Sequence, residues 1–321
     1  MTTHERHSNV SANSATIGLL DPALVTVAAG QHGMFTTRQA HATGLDRRDL
    51  GHLVKTGALR HPGRGLYAVS AQVSADPEQW HLQLAFGARL LYDDVTFTGV
   101  TALLAHGITV WDGDLRRPQI LRPVHRSSTL ECFHMRPNRS GSSPQLSSHI
   151  GPTLGVADAL VQFAIDQSIE SAVVSMDDAL HRTLVTTGDL EAALAAVMAW
   201  PGSHRARSAV ALADGRRESA AESRCGVALS LGDVEVIPQV VIRDRRGRII
   251  GRVDFLVAGT NVILEVDGKV KYASGDPEVL WLEKQREDAL RAAGYVVVRI
   301  VWADFLRPGG VLAKVRRAKA A

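Results

Sequence analysis

Asp254, Glu265 and Asp267 are the residues whose type and spacing point most directly to chemistry. They lie in Gly251-Arg-Val-Asp254-Phe255 and Ile263-Leu-Glu265-Val-Asp267-Gly268, two apolar runs that carry acids against their pattern. Burying carboxylates among Val, Ile and Leu is costly unless positive charge compensates them. A hard divalent cation does this, and oxygen ligands suit magnesium, with manganese as a substitute. Such an ion would lower the pKa of a bound water and offset charge on a phosphate, the requirements for phosphodiester hydrolysis. The tight connection Ala258-Gly259-Thr260 lets adjacent strands bring Asp254 and Glu265 to one point. Glu265 and Asp267 are two apart and project on one face of a regular strand. Glu222 can join them from an upstream helix. The expected metal ligands are therefore Glu222, Asp254 and Glu265, with Asp267 assisting and a lysine attending the water. Lys269, Lys271 and Lys284 are the candidates. Alternatively Arg252, Lys284 or Arg286 neutralises the acids of a site without activity.

These residues need a frame. Ser219 to Leu231 reads as a helix, Val234 to Ile242 as a strand, Arg243 to Arg248 as a basic turn, and Ile249 to Val257 as the returning strand. Val262 to Asp267 follows as a third strand and Glu278 to Ala293 as a helix closed by Gly294. Tyr295 to Val301, fully apolar but for Arg299, reads as a central strand. The order α-β-β-β-α-β, with these acids, resembles the core of the PD-(D/E)xK nuclease superfamily. At residue level, Glu222, Gly251-Arg-Val-Asp254-Phe, Leu264-Glu265-Val-Asp267-Gly268, Trp281-Leu-Glu-Lys284-Gln-Arg286-Glu-Asp288 and Leu290-Arg-Ala-Ala-Gly294 look like a domain-of-unknown-function family. That family is related to very-short-patch repair endonucleases, and the likeness covers roughly the last hundred residues. It implies a restriction-endonuclease-like domain and DNA as substrate. One departure matters: the superfamily's lysine two residues past the second acid is here Asp267. A lysine relocated to the next helix is a known variation, which singles out Lys284.

The start of the chain has a different character. Residues 1–17 are polar and read as a flexible tail. Asp21-Pro22 looks like a helix start. Thr36-Thr-Arg-Gln39 and Asp46-Arg-Arg-Asp49 have capping-box spacing, and Gly44 and Gly57 stop two short helices. From Ala58 to Val69 the residues alternate around a Pro62-Gly63 turn, as in a hairpin. Three short helices and a basic-tipped hairpin, over residues 18–70, make a winged helix-turn-helix. Gly33-Met-Phe35-Thr-Thr-Arg-Gln-Ala40, Gly44-Leu45, Leu53-Val-Lys-Thr-Gly57 and Gly63-Arg-Gly-Leu-Tyr67-Ala68 resemble the N-terminal domain of AbiEi-type antitoxins. The resemblance implies DNA binding and autoregulation in a type IV toxin–antitoxin system. Arg38, Arg47, Arg48, Lys55 and Arg64 are the expected DNA contacts; solvated surface charge is the alternative.

Residues 71–215 read as an α-rich connector, with helical spacing over 78–91, 155–165, 168–184 and 189–200. Gln119-Ile-Leu-Arg122 and Leu130 to Met135 are candidate strands. His125, His134 and His149 are too scattered for zinc. Residues 216–321 form the nuclease-like domain, so the chain as a whole is a multi-domain α/β protein. Its 321 residues are 45% hydrophobic and 21% charged, enough apolar material for more than one core. Two distant cysteines, a polar start and no run long enough to span a bilayer fit a cytoplasmic protein without a membrane partner. Net charge is only +3, but four basic runs flank the acids, at 205–207, 216–217, 243–248 and 314–319, which favours a phosphate-bearing partner. No nucleophile elbow, Walker loop, zinc helix or dinucleotide fingerprint is present. Two functions emerge: a DNA-binding protein with a magnesium-dependent endonuclease domain, or a non-catalytic antitoxin-like regulator that keeps the nuclease fold as a binding platform. A cognate toxin, reached through regulation of its gene, is the implied further partner.

Overall fold

Asp21 caps the first described helix, α1 (Pro22–Ala29). Its carboxylate accepts a hydrogen bond from Ala23 N at 2.7 Å, and Pro22 supplies a preset first turn. The computed structural model describes residues 20–138, 145–267 and 277–320. It forms two compact units, residues 1–108 with 112–163 and residues 109–111 with 164–321. Among the described residues no helix is long and apolar enough to cross a membrane.

In the first unit α1 leads to β1 (Met34–Thr36), α2 (Thr37–Ala42), α3 (Arg47–Lys55), β2 (Leu59–Gly63) and β3 (Leu66–Val69). Both capping boxes form. Thr36 N donates to Gln39 Oε1 and Gln39 N to Thr36 Oγ1; Asp46 N donates to Asp49 Oδ2 and Asp49 N to Asp46 Oδ1. The strands form an antiparallel sheet of order β1-β3-β2. Leu24, Ala28, Phe35, Leu50, Leu53, Leu59 and Val69 close a core beneath it. Strand β1 is an addition to the expected helices and hairpin. The hairpin turn also moves: Pro62 and Gly63 belong to β2, and Arg64-Gly65 makes the turn, with Gly65 at φ +82° where a side chain would be strained.

The same unit continues through α4 (Pro77–Leu91), β4 (Thr96–Phe97), α5 (Gly99–Ala105), β5 (Gln119–Arg122), β6 (Ser128–Thr129), β7 (His134–Pro137), β8 (Gln145–Ser148) and β9 (Gly151–Leu154). The helix α6 (Val156–Asp166) follows. These strands build a six-stranded mixed sheet of order β6-β7-β5-β4-β9-β8. The α-rich expectation placed one strand of this sheet, Gln119–Arg122, and missed most of the rest because each strand has only two to four residues, too few for alternation to register. The domain boundary expected at residue 70 does not divide the units either: Gly87 of α4 lies tight against Leu66 and Met34.

In the second unit α7 (Ile169–His181), α8 (Thr187–Ala196) and α9 (Ser203–Leu212) precede α10 (Ala220–Ser230), β10 (Val236–Arg243), β11 (Ile249–Val257) and β12 (Val262–Val266). Then come α11 (Pro277–Ala292), β13 (Val296–Ile300), α12 (Trp302–Phe305) and α13 (Gly310–Ala320). The boundary expected at 215 is bridged within this unit, where Arg217 pairs with Asp177 of α7 at 3.0 Å, both buried. The four-stranded sheet has order β10-β11-β12-β13, antiparallel except for the parallel pair β12–β13. One face packs Phe255, Leu264 and Val266 with Cys225, Leu229, Val311 and Val315; the other packs Val253 and Ile263 with Leu290. The element order is the expected one. The central strand is not: β12 is buried throughout, whereas β13 has β12 as its sheet neighbour and is half-exposed. A run apolar but for Arg299 here marks an edge strand that packs beside helices.

Candidate functional site

Glu222, Asp254 and Glu265 come from α10, β11 and β12. Glu222 stands in the first turn of α10, where the N-cap Ser219 accepts from Glu222 N at 3.2 Å. Its carboxylate is buried and engaged. Ser219 Oγ donates to Oε1 at 2.8 Å, and Glu218 N and Gln239 Nε2 donate to Oε2 at 3.1 and 2.7 Å. Gln239 holds a left-handed backbone at φ +56° between the register pairs Pro238–Phe255 and Val240–Val253, which puts it level with Asp254. Non-glycine residues adopt that conformation at a cost of about 1–2 kcal/mol and cluster where side chains must be aimed.

Asp254 acts on the sheet itself. The β11–β12 pairing runs through Phe255–Leu264 and Leu256–Ile263, and next to it Asp254 Oδ2 accepts from Val266 N at 2.7 Å. A side chain thus takes a backbone donor where the ladder ends. Glu265, 7% exposed, accepts from Arg286 Nη1 at 3.0 Å. Burial raises the Glu265 carboxyl above its ordinary range; the Arg286 bond opposes the shift and nearby Asp254 adds to it. Arg286 also grips Glu283 through two nitrogens, at 2.8 and 3.0 Å, and donates to the Arg252 carbonyl. Asp267 is held otherwise. Its N–H donates to Ile300 O, and its carboxylate pairs at 3.5 Å with Arg299, which also meets Glu287 at 2.7 Å. Glu265 and Asp267 therefore serve different guanidinium groups.

The expected cations are redistributed. Lys284 is exposed on α11, while Glu283, Arg286, Glu287 and Leu290 form the more buried stripe of that helix. Arg286, not Lys284, is the cation that reaches Glu265. Arg252 forms a two-bond pair with Glu218, 2.7 Å each, instead of neutralising the strand acids. Lys269 and Lys271 lie outside the described residues. Among the described residues no three His, Cys, Asp or Glu side chains are arranged to hold a metal ion. Glu222 is saturated by hydrogen bonds and Glu265 is neutralised by Arg286, so the donor set as arranged does not fit a three-carboxylate magnesium or manganese centre. Cys225 is fully buried in α10, and burial pushes its thiol well above the usual range, as befits a packing residue.

The N-terminal basic residues are arranged quite differently. Arg47, Arg48 and Lys55 are exposed on α3, Arg38 is exposed on α2, and Arg64 sits at the β2–β3 turn. Along α3, Arg48, His52 and Lys55 share one outer face with Gly51, while Leu50 and Leu53 anchor the inner one. Arg38, Arg47, Lys55 and Arg64 ion-pair with none of the described residues. Such a helix, flanked by a basic turn, can meet phosphates and base edges together. Residues 22–70 match the family model for a transcriptional regulator, the AbiEi antitoxin. No curated protein matches the chain.

The AbiEi-type stretch runs from the first residue of α1 to the residue after β3, so it coincides with the winged unit of sheet and helices. All five basic residues nominated from sequence lie within it and all are exposed. His52 and Gly51, absent from that set, belong to the same outer face; their spacing from Arg48 and Lys55 was the available signal. Gln239 was also missed as a site residue, whereas Arg286 was among the three cations named as neutralisers of the acids and is the one that reaches Glu265. Gln239 was readable only as a polar residue inside an apolar strand, and its left-handed backbone has no sequence signature.

Proposed function

We propose that this protein is a DNA-binding transcriptional regulator. The outer face of α3 enters the major groove of duplex DNA, and the Arg64 turn contacts the backbone. The observation that carries this is the exposed basic face of α3 on the stretch that matches the AbiEi model. By the same likeness, the regulated DNA includes its own promoter and a toxin gene read from it. The C-terminal domain serves as a platform, since its buried acid Glu265 is already neutralised by Arg286.

The test is fluorescence anisotropy on duplexes drawn from the DNA upstream of its own gene, against unrelated duplexes. Arg48→Ala is expected to cost about 1–3 kcal/mol on the preferred duplex and to relax its discrimination. Arg64→Ala is expected to weaken all duplexes alike and to lower the salt slope by about 1. Equal affinity for every duplex in both variants and the unaltered chain would defeat the regulator assignment.

A second function has one specific observation behind it. Asp254 and Glu265 face one another where the β11–β12 ladder ends, with Glu222 bonded to Gln239 level with Asp254. In a PD-(D/E)xK-type nuclease these acids would hold magnesium or manganese, which here requires Glu265 to leave Arg286 first. Plasmid and mismatched duplexes incubated with either metal decide it. Cleavage that Asp254→Ala abolishes establishes the nuclease, and intact DNA throughout leaves the platform.

A further inference from the structure

The hairpin turn between β10 and β11 overhangs the C-terminal half of α11, and an open groove of about 800 Å³ runs between them. The rim is basic and hydrogen-bonded. Asp244 Oδ1 accepts from Arg246 N at 2.8 Å and from Arg248 N at 2.9 Å, which fixes the turn and projects Arg245 and Arg246. Both are exposed, and neither ion-pairs with a described residue. Apart from Arg248, Gln285 and Arg286, the remaining lining is apolar. Ile249 is 62% exposed and Leu282 54% exposed, unusual for large aliphatic side chains. Along α11 the small residues Ala289 and Ala292, with Ala293 just past its end, continue from Leu282 on one stripe, which lets another backbone approach closely.

We infer that this groove docks an amphipathic helix of a partner protein, one that carries Asp or Glu beside an apolar stripe. Charge complementarity selects the acidic flank, through Arg245 and Arg246. The exposed Ile249 and Leu282 beside the alanines select an apolar face, which a nucleic-acid backbone does not offer. The chain's own segments outside the described residues are poor occupants. Residues 1–19 carry one acid, residues 139–144 carry none, and residues 268–276 carry one acid against two lysines. The surface lies well away in sequence from the AbiEi-type stretch and does not depend on DNA binding by it.

The probe is a labelled synthetic peptide of about 18 residues, five helical turns, with leucines at i, i+3, i+4 and i+7 and glutamates flanking them. Anisotropy is read with the full chain, beside a scrambled peptide of the same composition. Saturable binding of the patterned peptide is expected, with the scrambled one weaker by about tenfold or more. Arg245→Glu with Arg246→Glu, and separately Ala292→Trp, should each weaken it by about tenfold without shifting the thermal melt. The double charge reversal sits on exposed residues and keeps the test valid if the tryptophan disturbs the helix. No binding, equal binding of the scrambled peptide, or binding indifferent to the charge reversal overturns the inference. So does a duplex DNA that displaces the peptide, which would make the groove a nucleic-acid surface. Self-association of the unaltered chain that the charge reversal abolishes would assign the groove to a second copy instead.

Discussion

Arg286 decides the chemistry of the strand acids, because it supplies the charge that a metal would otherwise supply. One guanidinium holds Glu265 at 3.0 Å and Glu283 at 2.8 Å, and it is three-quarters buried. Arg286→Met should therefore destabilise the chain by roughly 2–4 kcal/mol, most of it the cost of leaving Glu265 buried without a cation. The loss should depend on pH. Burial already raises the Glu265 carboxyl, so the folded chain binds this proton more readily than the unfolded one, and stability from this group falls as pH rises through the raised value. Removing Arg286 raises it further, so the deficit should be large at neutral pH and shrink in acid. Urea melts at both pH values test this, and Glu265→Gln in the same background should recover part of the loss. A deficit equal at both pH values would mean that Arg286 acts by packing alone. At this scale the sequence was half legible. Acids inside apolar strands announce a compensated site, but which cation compensates them depends on helix phase. Lys284 and Arg286 differ by two residues, about 200° around α11, and only the fold shows which one points inward.

Helices were legible through their ends and strands through their length. The boxes at Thr36 and Asp46 were readable because each places a short polar side chain three residues before its partner, and both close as that spacing requires. Strand β1 has three residues, and the six-stranded sheet is built from pieces of two to four, so apart from Gln119–Arg122 and the start of β7 they leave no trace in the sequence. The long apolar run at β13 misled in the opposite direction, because helix cover makes an edge strand look central. The Asp46 box also has a functional consequence, since it organises the turn that presents Arg47 and Arg48. The backbone N–H groups of Asp49 and Arg48 hold the Asp46 carboxyl below the usual range. Asp46→Ala should loosen the first turn of α3. Faster hydrogen exchange at the amides of residues 48 and 49, with weaker DNA binding and an unchanged melt of the second unit, is the expected signature. Unchanged exchange at those two amides would show that packing of Leu50 and Leu53 holds the helix start without its cap.

The two units carry titrating groups of opposite sign, so acid should separate them. In the first unit His81 is fully buried, with Nδ1 at 2.9 Å from Leu115 O and Nε2 at 2.9 Å from Thr101 Oγ1. Burial lowers its pKa, so the unfolded chain takes up this proton more readily, and the unit loses stability as pH falls through about 6.5. In the second unit burial pushes Asp177 up to about 6, against the pull of Arg217. Glu265 is raised as well. Folded groups of this kind bind protons before the unfolded chain does, so these two groups add stability to the second unit as pH falls from about 6 toward 4. Calorimetry with unit-resolved hydrogen exchange should therefore find the first unit opening before the second at pH 5, with the gap narrower at pH 7. His81→Gln should flatten the acid response of the first unit, and Asp177→Asn that of the second. Protection that falls in step in both units at pH 5, or a first unit unmoved by His81→Gln, would place the acid sensitivity in other groups. None of this was readable along the chain: a histidine between Trp80 and Leu82 and an aspartate in Met176-Asp-Asp178 acquire opposite pH roles only through burial.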